Sequence, residues 1–348
     1  MDAGAPLVVF GPTGYTGGLV VAEARRAGLS VRLVGRRREA LEALAAPGEE
    51  IRVAAAGDEA GLIAAFDEAF AVVSCAGPFL ANGPKPVAAA IAVGAHYLDT
   101  SGEQEFARRV YEGFGDSAAE RGVVLLTSFG FDYVPGDFAA RLAAEGLDQP
   151  LDEVIVAYSA KRLATSSGTR RTVGHVMGQS QVAWEGELVP SRFGATTRRV
   201  RFPFGEATVV EWGGTEPLTV PRHTHVRRVR SYLRAPRAAA LGGRMAGAFA
   251  PLIRAAASVG GNPSESKRGR TEFTVVAEAR GASGGHRAVV SGTDVYGLTA
   301  RLVVSGAAAI RGGEAHGTGA LAPAEAFDVR TFAARLAPYF RIDSVEPL

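Results

Sequence analysis

Between Leu7 and Ser128, short apolar runs alternate with segments of helical spacing, and this alternation constrains the fold more than any other feature of the chain. The runs Leu7–Phe10, Val31–Gly35, Ile51–Ala54, Ala71–Ser74, His96–Asp99 and Val123–Ser128 read as buried strands. Between them, Tyr15–Ala27, Arg38–Ala46, Ala60–Ala69, Pro84–Val93 and Glu105–Arg121 carry apolar residues at helical intervals. Strands joined by helical crossovers pair in parallel, because each crossover returns the chain to the same end of the sheet. The expected α/β architecture is a doubly wound parallel sheet with its ligand at the carboxyl ends of the strands.

The pattern changes after Gly146. Asp148-Gln149-Pro150 reads as a linker, and the 348 residues are enough for two domains, expected at 1–148 and 149–348, with a C-terminal segment returning to the first. Beyond the linker, Glu153–Lys161, Arg198–Phe202, Ala207–Trp212, Thr271–Ala279 and His286–Asp294 read as strands, and Thr169–Val182, Pro236–Ser258 and Leu298–Arg311 as helices. Strands in succession followed by helices point to an α+β domain with a mostly antiparallel sheet, and Ser258–Arg270 reads as a loop.

Composition narrows the function classes. With 38 basic and 36 acidic residues the chain has no electrostatic pull toward nucleic acid. No uncharged apolar run is long enough for a transmembrane segment, the residues before Leu7 lack a basic leader, and Ala235–Gly261 is an Ala-rich helix whose arginines face water or a docking surface. The one cysteine, Cys75, fits a reducing, cytoplasmic setting. A small-molecule substrate and a homodimer built on exposed antiparallel sheet are the expected partners.

The sharpest motif is Gly11-Pro12-Thr13-Gly14-Tyr15-Thr16-Gly17, which follows the first strand and opens the first helix. A pyrophosphate needs a tight turn, close backbone approach and free N–H groups at a helix N-terminus, and Gly11, Gly14 and Gly17 suit these tasks in that order. Its spacing is G-x-x-G-x-x-G, not the commoner G-x-G-x-x-G. The second strand ends in Gly35-Arg36-Arg37, where a carboxylate would select an unphosphorylated ribose. Guanidinium groups there can fork onto a 2′-phosphate, so NADP(H) is the expected cofactor, with Arg36 first and Arg37 second. Cys75-Ala76-Gly77-Pro78 leaves room for the second ribose at the end of the fourth strand. Ser101 and Gly102 crown the fifth strand, Ser101 also being able to cap the next helix, and Gly130 lies on the loop after the sixth.

Taken together, the Gly11–Gly17 turn, Gly35-Arg36, Ala76-Gly77-Pro78, His96–Asp99 with Gly102-Glu103, and Gly130-Phe131-Asp132 with Pro135 resemble the saccharopine-dehydrogenase-like oxidoreductases, a group that includes trans-acting enoyl reductases. Ser166-Ser167-Gly168-Thr169 and Leu321–Phe327 are similar to motifs of that group's second domain. The resemblance implies a Rossmann domain, NADP(H) and hydride transfer to a double bond, either C=C or C=N. Tyr133-Val134 after Asp132, and Ser167-Gly168-Thr169, depart from the group where substrate would lie.

Hydride transfer needs an oriented acceptor and a proton source. Tyr133 is the first candidate donor, with aromatic packing as its competing role. Asp132 either orients this loop or caps the next helix, and Lys161 either faces the cleft or ends a strand in solvent. His175 shares a helix face with Arg171, next to Arg170, as an anion-binding candidate. His223-Thr224-His225, read as a strand, places two imidazoles on one side, but without further ligands no metal is expected. The leading function is an NADPH-dependent reductase of an enoyl-type C=C bond in a lipid or polyketide-like substrate. The rivals are a C=N reductase or amino-acid dehydrogenase, and a non-catalytic NADP(H)-binding sensor or scaffold.

Overall fold

The computed structural model describes residues 4–163, 165–166, 181–235 and 261–348, which form two compact units. One comprises Met1–Phe131 and Tyr296–Leu321, the other Asp132–Val295 and Ala322–Leu348. The expected helix Pro236–Ser258 and the candidates His175, Arg170, Arg171 and Ser167–Thr169 lie outside the described residues. So does the expected helix Thr169–Val182, apart from Gln181 and Val182, which are in a strand.

In the first unit the elements run β1 (Leu7–Phe10), α1 (Tyr15–Arg26), β2 (Val31–Gly35), α2 (Arg38–Glu42), β3 (Glu50–Val53), α3 (Glu59–Phe66), β4 (Ala71–Ser74), α4 (Phe79–Asn82), α5 (Pro84–Val93), β5 (His96–Asp99), α6 (Gln104–Arg121) and β6 (Val124–Leu126). The later helix Val295–Arg311 (α10), all but its first residue, and the strand Gly319–Ala320 (β15) complete it. The sheet order is β15-β6-β5-β4-β1-β2-β3, and every pairing is parallel. Consecutive residues of β1, β4 and β5 are buried, as strands covered on both faces must be. Val8, Phe10, Val72 and Tyr97 pack on Leu62, Val87 and Phe106 from α3, α5 and α6. Helix α2 stops at Glu42 and does not reach Ala46, because Arg25 holds the Leu44 carbonyl at 2.9 Å and Glu49 at 2.6 Å while Glu49 accepts the Ala46 amide.

The second unit runs α7 (Val134–Ala144), β7 (Glu153–Lys161), β8 (Gln181–Trp184), β9 (Leu188–Ser191), β10 (Thr197–Phe202), β11 (Gly205–Glu211), α8 (Glu216–His223), β12 (Val229–Arg234), α9 (Glu265–Gly269), β13 (Glu272–Gly281), β14 (Gly284–Thr293), α11 (Pro323–Ala326), α12 (Val329–Ala334) and β16 (Phe340–Pro347). The sheet path is β10-β11-β12-β7-β13-β14-β16, with β8 on β12 and β9 on β8. Its pairings are antiparallel except β12 with β7, which fits the expected mostly antiparallel α+β domain.

The contacts place the boundary at 131/132 and not at the linker near 148. The reason is α7, whose residues are nearly all buried and which packs on β7, β13 and β14. Two further expectations are corrected. Glu265–Gly269, inside the expected loop, is a short helix capped by Ser264. His223 ends helix α8 instead of lying in a strand, since Val220 accepts the Thr224 amide and the helix carries the ring toward α7. No helix among the described residues is long and apolar enough to cross a membrane.

Candidate active site

Every crest loop singled out as cofactor-binding follows the carboxyl end of a strand in one contiguous part of the first sheet, β2-β1-β4-β5-β6. The chain winds outward from β1 to β2 and β3, then restarts at β4 on the other side of β1. That reversal opens a crevice above β1 and β4, where ligands of such sheets bind. Gly11 takes φ +82° as β1 ends, and its amide bonds the Val34 carbonyl at 2.9 Å. A Cβ on Gly17 would lie 2.2 Å from the Gly11 carbonyl oxygen, so only glycine lets the first turn of α1 pass beneath the loop. Gly14 caps α1 without a side-chain bond, which leaves backbone N–H groups at the helix start. Thr13 and Gly14 are exposed, Tyr15 and Thr16 half-buried, and Tyr15 meets the Tyr296 ring edge-on at 5.0 Å.

At the end of β2, Arg36 and Arg37 are exposed, and no described residue forms an ion pair with either. Arg38 turns into α2 and lies 3.7 Å from Glu42. After β4, Cys75 donates its amide to Phe10 at 2.8 Å, and burial pushes its thiol up to about 12, so it is a packing residue and no nucleophile. Ala76 is half-buried, and Gly77 and Pro78 are exposed. These residues fit a nucleotide: a backbone cradle at Gly11–Gly17, unpaired guanidinium groups beside it, and small residues further along the crest.

The third part of the crest is organised by Asp99, which sequence patterning had placed only as a strand end. Its Oδ1 accepts the amides of Ser101 at 2.9 Å and Ser128 at 2.8 Å, joining the loops after β5 and β6. Burial raises its carboxyl to about 6, against the lowering effect of these amides and the Thr127 hydroxyl. Ser101 Oγ accepts the Glu103 amide at 3.0 Å, but the N-cap of α6 is Glu103 and the helix has no side-chain cap bond, so Ser101 does not take the capping role expected for it. Gly102 is half-buried. Glu103 in turn accepts the amides of Phe79 at 2.7 Å and Leu80 at 2.9 Å, fixing α4. Gly130 is buried against Thr299, whose hydroxyl accepts the Phe131 amide at 3.1 Å.

In the second unit, Asp132 and Tyr133 lead into α7. The Tyr133 ring is 1% exposed and stacks on Trp212 at 5.8 Å, which gives it the packing role that competed with proton donation. Asp132 keeps an exposed edge, and the protein mass around it still raises its carboxyl to about 6. Asp132 does not bond the start of α7, so the capping role is not realised. Lys161 lies three residues beyond Tyr158 on β7 and therefore on the opposite face. Its ammonium sits 5.0 Å from the Phe204 ring, apart from Asp132 and Tyr133. His223 Nε2 is 3.0 Å from buried Asp137, whose other oxygen accepts the Ala324 amide, so this imidazole serves packing between helices.

Sequence reasoning missed Tyr158, Trp212 and Glu216. Glu216 is fully buried, accepting from Tyr158 Oη and Ser231 Oγ at 2.5 Å each. A Cβ on Gly136 would lie 2.0 Å from Tyr158 Oη, and one on Gly214 2.2 Å from Glu216 Oε2. Gly213-Gly214-Thr215-Glu216 was the available signal: adjacent glycines before an acid mark a close approach to a buried polar group.

The Asp99 junction predicts a pH signature. A carboxyl whose folded pKa lies above its ordinary 3.8 binds its proton more tightly in the folded state, so its contribution to stability falls as pH rises from 3.8 to about 6. Asp99→Asn keeps an oxygen for both amides and removes the charge, and urea unfolding should show it folded with less pH dependence across that window. Asp99→Ala leaves two buried amides unpaired and should lose roughly 1–3 kcal/mol for each. Equal losses in both variants would mean that the amides do not depend on this side chain.

Residues 7–125 match the family model described as the saccharopine dehydrogenase NADP binding domain. A saccharopine dehydrogenase-like oxidoreductase of Bos taurus is 33% identical over 151 residues, 38% of this chain and 35% of that protein. A Mycobacterium tuberculosis protein, named as a candidate trans-acting enoyl reductase, is 33% identical over 141 residues, 38% of this chain and 34% of that one. The chain thus matches well under two thirds of the length of these relatives. Apo saccharopine dehydrogenase (L-Glu forming) from Saccharomyces cerevisiae shares the fold, with a TM-score of 0.62 over 99% of this chain and 100% of that one, at 13% identity. The match from β1 into β6 coincides with the crest that carries the glycine turn and Arg36, so it is the nucleotide-binding half of this chain, residues 7–125, that is similar to the saccharopine dehydrogenase NADP-binding family.

Proposed function

We propose that the protein is an NADPH-dependent oxidoreductase that reduces an activated double bond, of the enoyl C=C type, in a lipid or polyketide-like substrate. The observation that carries the proposal is the family match over residues 7–125, with two exposed, unpaired arginines ending β2. Bound NADPH supplies the hydride. Arg36 and Arg37 receive its 2′-phosphate, and the amides of the Gly11–Gly17 turn receive its pyrophosphate. The enoyl acceptor is favoured by the mycobacterial relative's name and by the aromatic character of Tyr133, Trp212 and Tyr158. A saccharopine-type C=N acceptor calls for cations converging on carboxylates, and Lys161 faces away from that cluster. We assign the proton to Asp132, which is exposed and raised toward neutrality, and not to the buried phenol of Tyr133. The single cysteine supports a reducing compartment, and edge strands β10 and β16 offer surfaces for a homodimer.

Four measurements test the proposal. Titration should give tighter binding of NADPH than NADH, and Arg36→Ala should erase roughly ten- to hundredfold of that preference; equal wild-type affinities would remove the Arg36 assignment. NADPH oxidation screened against an enoyl thioester, a cyclic imine and an amino acid with an oxo acid should proceed with the first. With the accepted substrate, Asp132→Asn should lower turnover roughly 10²- to 10⁴-fold at unchanged NADPH affinity, and Tyr133→Phe should change it only a few fold. The reverse order would restore Tyr133 as donor. Light scattering should give twice the chain mass, and a monomer would end the dimer proposal.

A further inference from the structure

Glu216 heads α8 with both carboxyl oxygens engaged inside the second unit, Oε1 by Tyr158 Oη and Oε2 by Ser231 Oγ. Tyr158 Oη also lies 3.3 Å from the carbonyl oxygen of Tyr133. A phenol has one hydrogen, so it serves one of these two acceptors at a time. The Tyr133 carbonyl is no idle group: it accepts the Gly136 and Asp137 amides that start α7, and it follows Asp132 directly. Gly136 and Gly214 bring backbone against the pair: a Cβ on Gly136 would lie 2.0 Å from Tyr158 Oη, and one on Gly214 2.2 Å from Glu216 Oε2.

We propose that Glu216 is a positioning residue that, through Tyr158, decides whether the Tyr133 carbonyl is held and so sets the Asp132–Tyr133 turn of the proposed reductase. With Glu216 ionised, Tyr158 gives its hydrogen to Oε1. When Glu216 takes a proton from solvent on Oε1, that O–H donates to Tyr158 Oη, and the phenolic hydrogen turns to the Tyr133 carbonyl. One proton gained at Glu216 becomes one hydrogen bond gained at the turn, with no other group changing charge. Burial raises Glu216 to about 7, so both states are populated near neutrality. The groups facing the pair are Tyr158 from β7, Ser231 from β12, Asp137 from α7, Asp132 and Tyr133 from the turn, and His223 at the end of α8 by way of Asp137. Asp137 and Asp132 are acids and oppose ionisation of the pair, and Ser231 favours it.

The inference rests on the reductase proposal for its purpose, but its test does not. Trp212 stacks on Tyr133 and meets Tyr158 edge-on, so its emission reports the turn. The chain has two tryptophans, and Trp184→Phe leaves Trp212 as the sole indole reporter. In that full-length background without cofactor, emission should titrate with a midpoint near neutrality. Glu216→Gln, whose amide donates to Tyr158 at every pH, should hold emission at the low-pH level. Tyr158→Phe should also abolish the transition, and Asp132→Asn should keep it. A titration that survives in Glu216→Gln, or is lost with Asp132→Asn, overturns the proposal, as does a flat profile in the Trp184→Phe background. In turnover, Glu216→Gln should lose the kcat limb near neutrality at unchanged NADPH affinity. An intact Trp212 titration in a protein that oxidises NADPH with no acceptor would reject the reductase reading and leave the Glu216 assignment standing.

Discussion

The first unit depends on how closely the loop after β1 crosses the helix that follows it. The 2.2 Å separation between the Gly11 carbonyl oxygen and a would-be Cβ on residue 17 shows that helix and loop touch through backbone alone. A Cβ on Gly11 would lie 3.1 Å from the Ala76 Cβ, so the ends of β1 and β4 also sit close side by side. That contact puts the glycine turn, the arginines after β2 and the small residues after β4 along one crest. Asp99 and Glu103 extend the same rigidity by binding backbone amides from neighbouring loops, which fixes the crest without filling it with side chains.

The second unit is organised by buried carboxyl groups of a different kind. Asp137 and Glu216 sit where α7, α8 and the sheet converge, and each is fully engaged by neighbouring donors. Burying a carboxylate is costly unless it is bonded, so these helices have little freedom to shift independently. The arrangement joins the start of α7 to the strand carrying Tyr158, and it leaves Asp132 as the exposed titratable group beside an aromatic cluster.

The alternation of strand and helix from Leu7 onward set the parallel sheet almost residue by residue, because a buried strand covered on both faces has a composition that solvent-facing segments lack. The antiparallel sheet was less legible. β12 and β16 mix Arg, Ser and Glu with apolar residues, so their pairing comes from neighbours distant in sequence and not from local pattern. Helix α7 looked like the last element of the first domain, since only its burial partners, all far along the chain, show where it belongs. Lys161 ends its strand in solvent, one of the two roles its position offered, whereas His223 was misplaced because a single helical turn carries an imidazole to a new partner.

What the sequence by itself determined is the cofactor half: the glycine turn, the arginines ending β2 and the order of crest loops are local features whose chemistry follows from spacing and residue type. Only the tertiary structure decided the other half. It buried Tyr133, left Asp132 exposed, and brought Tyr158 to the Trp212–Glu216 stretch from a separate segment of the chain. Proton chemistry depends on burial and on partners across the chain, and neither is written into any short stretch of sequence.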